Sequence, residues 1–121
     1  RLNAYDVQVS ADPREVHVRL FWRAEDTLPE SYALFVHVAD VESAAPYAQY
    51  ADFPSVLTTE WDDGVQWVSD VVILLDPGLP AGEYALNAGW FNPESGDRLG
   101  VHAGRQWWDE GIVFVTEIAV E

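Results

Sequence analysis

Four tryptophans fall in or beside two irregular stretches of this chain: Trp61 and Trp67 around one, and the adjacent Trp107 and Trp108 in the other. An aromatic face on a loop or flat sheet suits sugar binding, because the apolar face of a pyranose covers the ring while its hydroxyls find polar neighbours. Such neighbours are close in sequence: Glu60, Asp62, Asp63 and Gln66 beside the first pair, Arg105, Gln106 and Asp109 beside the second. The candidate carbohydrate-contacting set is therefore Trp61, Trp67, Trp107, Trp108, Arg105 and Gln106. The competing expectation is that the indoles cover the open ends of the fold, each stabilising it by about 1.5–3 kcal/mol through burial. Trp107 and Trp108 cannot both face inward if their segment is extended, since successive side chains of a strand point to opposite sides.

Trp61-Asp62-Asp63-Gly64 places consecutive carboxylates, Asp62 and Asp63, in a glycine-containing loop, and carboxylate oxygens are the hard ligands that Ca²⁺ takes. The spacing falls short of a full calcium loop, and a solvated acidic turn accounts for the same residues. For catalysis the sequence offers little. There is no Gly-x-Ser-x-Gly elbow, no His-Glu-x-x-His and no phosphate-binding glycine loop. His17, His37 and His102 are dispersed, and two of them lie in predicted strands, where a structural histidine is the ordinary outcome. A glycosidase needs only two facing acids, a requirement that 21 acidic residues make too general to locate a site. No catalytic residues are assigned and the chain is expected not to be an enzyme, with an acid-pair glycosidase as the remaining catalytic alternative.

Composition narrows the partners. Six basic residues stand against 21 acidic ones, a net charge of −15. Nucleic acid is excluded as a natural partner, since a phosphate backbone needs clustered cations and these are scattered. An anionic membrane surface is disfavoured for the same reason. Every cation is arginine, with no lysine, cysteine or methionine, which suits a GC-rich or salt-adapted prokaryotic source whose surface acid maintains solubility. Without cysteine there are no disulfides, thiolate nucleophiles or cysteine metal sites. No apolar run approaches the ~20 residues that would span a bilayer, so this segment is expected not to insert. Arg1 rather than Met opens the sequence, which predicts a piece cut from a longer protein.

The elements that must position the tryptophans read as strands. Period-two alternation recurs and helical periodicity hardly at all. Tyr5, Val7 and Val9 mark a first strand. Val16, Val18, Leu20 and Trp22 alternate with His17, Arg19, Phe21 and Arg23 in a second. Residues 32–40 are apolar on nearly both faces, as in a central strand. Residues 47–53 suit an edge strand, 54–64 a long loop and 67–75 another strand. Residues 84–91 and 98–101 are predicted to form a hairpin across the turn 92–97. The last strand, 112–120, is expected to turn Ile112, Phe114, Ile118 and Val120 inward. Tyr84, two residues after Gly82, sits where a tyrosine corner belongs. Seven to nine such strands predict an all-β, immunoglobulin-like antiparallel β-sandwich over residues 1–121, with a barrel as the alternative.

With the strands placed, a likeness extends over about three-quarters of the chain. Leu20-Phe21-Trp22-Arg23-Ala24, the run from Tyr32 to Asp40, Leu79-Pro80-Ala81-Gly82-Glu83-Tyr84 and the run from Gly89 to Leu99 resemble the β-sandwich that follows the transmembrane part of bacterial membrane glycosyltransferases of the mannosyltransferase-like type. Thr58-Thr59-Glu60-Trp61 is similar to a Pro-Thr-x-x-Trp stretch of those domains but lacks its proline. The resemblance implies an accessory domain outside the cytoplasm, attached to a parent membrane protein, with no catalytic residue of its own. The indoles clustered among polar residues in the irregular segments make cell-envelope glycan the expected partner of such a domain. A structural or assembly module of a surface protein or filament, pairing through its edge strands, is the alternative of a different kind.

Overall fold

The computed structural model describes residues 1–43 and 45–121. The described residues form nine strands and a single turn of 3₁₀ helix: β1 (Leu2–Ala11), β2 (Arg14–Arg23), β3 (Ala33–Ala39), β4 (Pro46–Asp52), β5 (Gln66–Leu74), β6 (Gly82–Phe91), β7 (Val101–Ala103), β8 (Gln106–Trp108) and β9 (Val113–Val120), with the helical turn at Thr58–Glu60. They build two sheets, one in the order β5-β2-β1-β7-β8 and the other in the order β4-β3-β6-β9. Every pairing is antiparallel except a short parallel contact of β1 with β7 at Leu2 and Ala103. This is the predicted immunoglobulin-like β-sandwich.

Alternation decides which side chains meet in the middle. Val16, Val18, Leu20 and Trp22 of β2 face Val71 and Ile73 of β5 in one layer and Leu34, Val36, Val38, Leu86, Ala88 and Trp90 in the other, all buried. β3 lies between β4 and β6, the central position that its sequence predicts. Tyr84 enters β6 with its ring buried and its hydroxyl donating to the Pro80 carbonyl, forming the tyrosine corner that the sequence signals. Thr58 is buried in the long connection between β4 and β5, where its Oγ1 accepts from the Tyr32 N–H (2.9 Å) and donates to the Glu30 carbonyl (2.8 Å).

Two expectations need correction. The turn after β6 closes as predicted, with Asn92 N–H on the Asp97 carbonyl at 2.8 Å and a single bridge from Phe91 to Arg98. The returning chain then leaves β6 and crosses to the other sheet, where β7 and β8 form a small hairpin on the β1 edge. β9 takes the place beside β6 instead. In β9 the inward residues are Val113, Val115, Ile118 and Val120, while Phe114 is exposed and Ile112 only half-buried. A bulge opposite Leu86 and Asn87 inserts Val115 as an extra residue, so the alternation changes phase within the strand.

Candidate functional site

The tryptophans separate into a core group and an edge group. Trp61 is buried within the sandwich end: it stacks on Trp67 (ring centroids 5.2 Å apart, planes at 28°) and sets its edge against Trp90 at 5.4 Å. Trp90 in turn contacts Trp22 at 5.5 Å. The Trp61 indole N–H donates to the Val56 carbonyl at 2.9 Å, fixing the ring inside the loop that follows β4. Of the two expectations for Trp61, ligand contact and burial at an end of the fold, the structure shows burial: its ring packs on Trp67 and Trp90 and its donor is taken by the protein. Trp67 is half-buried and lines a cleft of about 180 Å³ between β4 and β5, beside Leu34, Tyr50, Asp52 and Trp90.

Trp107 and Trp108 lie on β8 and point opposite ways, as an extended segment demands. Trp108 packs against the core, its indole nitrogen buried without a partner among the described residues. Trp107 is 53% exposed. Its position is nevertheless fixed from below. A β-carbon at Gly100 would come within 2.4 Å of Trp107 Cζ2, so the indole rests directly on glycine backbone. His102, its register partner, lies 4.5 Å away ring to ring, and His102 Nδ1 meets Glu25 Oε1 at 2.6 Å. The hydrogen bond to His102 holds the Glu25 carboxyl below the usual carboxylate range, although the pair is well exposed. Arg105 and Gln106 are exposed at the hairpin tip. β5 and β8 occupy opposite edges of one sheet, so Trp67 and Trp107 cannot belong to one contact surface.

Asp62 and Asp63 are exposed in a tight structural turn: Val65 N–H bonds the Asp62 carbonyl at 3.1 Å, and Gly64, at φ +83°, donates to the Ala24 carbonyl at 2.9 Å. Among the described residues, no three His, Asp or Glu side chains converge as a metal site would require. Also among the described residues, no helix is long and apolar enough to cross a membrane.

No family model, curated protein or solved structure matches the chain. Geometry must therefore rank the surfaces, and it adds one that the sequence reading passes over. On the outer face of β3 and β6, Phe35 and Phe91 meet edge to face at 5.9 Å and floor a hollow of about 260 Å³. His37, Gln49 and Arg98 stand around it. Burial, with the nearby Arg98 charge as a second cause, pushes the His37 imidazole below its ordinary value, so it is neutral at pH 7. The signal for this site lay in β3, whose second apolar face reads equally well as a central strand or as a floor that something covers.

Proposed function

We propose that this chain is a non-catalytic accessory domain outside the cytoplasm, carried by a membrane or envelope protein of the glycosyltransferase kind whose motifs it resembles, and that it contacts envelope glycan through Trp107. The observation that carries the reading is the exposed indole resting on Gly100 and His102. A ring held from below presents its free face without losing side-chain freedom when a ligand arrives, which lowers the entropic cost of binding. Arg105 and Gln106, at the same hairpin tip, supply donors for sugar hydroxyls. Trp61 contributes only to stability, and Trp67 and Trp108 do not share this surface.

The test is a titration of the ¹⁵N-labelled chain with a panel of envelope oligosaccharides, following the six indole N–H resonances. The expected result is a shift confined to the Trp107 signal and abolished in Trp107→Ala. A panel that moves no indole signal would overturn the reading.

A structural assembly module is a second reading with one observation in its favour. β5 ends its sheet, and its side chains Val68, Val72 and Leu74 are 48%, 51% and 72% exposed. An uncovered apolar edge of this kind pairs readily with another strand. Sedimentation that stays monomeric across a wide concentration range would remove this reading.

A further inference from the structure

We infer that the hollow on the outer face of the β4-β3-β6-β9 sheet is a binding site for a small acid whose single carboxylate is carried on a ring with an apolar face. Three features of the hollow support it. The first is charge. In a chain with 21 acidic and six basic residues, the described lining of this hollow contains Arg98 and no carboxylate. Three other clefts are lined by Asp52 and Asp70, by Asp6 and Asp70, or by Asp6 and Glu117, and the cleft between β1 and β9 beside Tyr5 and Phe114 carries neither a carboxylate nor a cation. The Arg98 guanidinium makes no ion pair among the described residues, whereas Arg19 is taken by Asp70 at 2.7 Å. A guanidinium at the rim of an apolar hollow is suited to bidentate recognition of a carboxylate.

The second feature is shape. Phe35 is only 5% exposed although it points away from the inter-sheet core: its ring lies against His37 and Phe91, with centroids 5.1 and 5.9 Å away, and shares the hollow with Gly96, Arg98 and Ile112 from two further segments. The rings of Phe35 and Phe91 form an apolar floor, and Gln49 and His37 add polar groups on the β4 side. At about 260 Å³ the hollow lies just under the range of about 300–1,000 Å³ usual for ligand sites, enough for one ring and its acid group rather than an oligomer.

The third is preorganisation. Arg98 is bridged to Phe91, and the next residue donates its N–H to the Trp90 carbonyl at 2.9 Å. Gly111 lies against it so closely that a β-carbon there would come within 2.5 Å of Arg98 Cβ. Gly89, beneath, has the Gly111 carbonyl and the Phe35 ring where its own β-carbon would be. The wall bearing the guanidinium is therefore fixed before any ligand arrives.

The experiment compares phenylacetate with phenylacetamide, and galacturonate with galactose, each titrated into the full chain while the His37 ring and Arg98 Nε–H resonances are followed. The two acids distinguish an aromatic from a sugar source of the same chemistry. The expected result is that at least one acid binds about tenfold or more tightly than its neutral counterpart, and that Arg98→Gln removes this preference. Ala51→Trp, an exposed edge-strand change at the rim, should block binding while leaving the thermal transition in place, and Trp107→Ala should leave it unaltered. No shift at about 10 mM of either acid, or a preference that survives Arg98→Gln, would overturn the inference. Failure here leaves the Trp107 reading untouched, because the two sites share no contact residue.

Discussion

Replacing Trp61 with alanine separates a structural tryptophan from a ligand-binding one. Removing a well-buried tryptophan costs about 3–5 kcal/mol. Two aromatic pairs are lost with it, to Trp67 and to Trp90, worth about 0.5–1.5 kcal/mol each, which places Trp61→Ala towards the upper end of that range. The released Val56 carbonyl adds little, because Val56 is 41% exposed and water can take the place of the indole N–H. For 121 residues, unfolding entropy of about 2.1 cal/mol/K per residue makes each kcal/mol worth roughly 4 °C. A loss of about 4–5 kcal/mol thus lowers Tm by roughly 16–20 °C. The assay is thermal and urea unfolding followed by far-UV circular dichroism, which does not depend on the removed chromophore, with Trp107→Ala as the companion. Trp107→Ala should cost about 1 kcal/mol or less, since half of that ring is already in water. The reasoning is refuted if Trp61→Ala unfolds within about 4 °C of the parent while glycan contact disappears.

Gly100→Ala should displace Trp107 with little loss of stability, because the side chain it meets can swing into solvent, yet weaken glycan binding as strongly as Trp107→Ala; matched titrations and melts check both. Gly89→Ala meets the Gly111 carbonyl at 2.2 Å, which cannot swing away, so it should cost about 1–3 kcal/mol or more in urea unfolding. Thr58→Val leaves the buried Tyr32 N–H without an acceptor and should cost about 1–3 kcal/mol. His37 should titrate below the ordinary imidazole range by NMR. Because its folded pKa is depressed, its contribution is complete above the unfolded imidazole value and is lost as pH falls through the folded one, so His37→Gln should flatten the stability profile across that window.

The parts of the fold visible in the sequence were those set by local chemistry. Val16, Val18, Leu20 and Trp22 display their face through alternation alone, and Pro80-Ala81-Gly82-Glu83-Tyr84 specifies the corner through the reach of one hydroxyl. The sequence leaves Trp61 open between ligand contact and burial, because its place depends on where residues 54–64 fold back against Trp67 and Trp90, which is set only when the sheets close. The same holds for the hairpin after β6: Asn92 to Asp97 predicts the turn, but nothing local reveals that β7 will pair with β1. One uninterrupted alternation over residues 112–120 turns Phe114 inward, and a bulge is invisible to that rule. The Trp107 surface followed from the argument that adjacent residues of a strand face opposite ways. The hollow around Phe35 and Arg98 needed three separate segments to be brought together.

The pairing of Leu2 with Ala103 also bears on how the chain reaches this state during synthesis. At about 5–20 residues per second, a ribosome delivers Ala103 on the order of 5–20 s after Leu2. Until then β1 has only β2 for company, and β2 itself waits for Val71 and its neighbours. Contacts this distant in sequence close slowly, on the order of milliseconds to seconds once available. The domain is thus a late folder whose early segments need protection while the remainder is made, and a fragment lacking the last quarter should be recovered as aggregate rather than as a smaller sandwich.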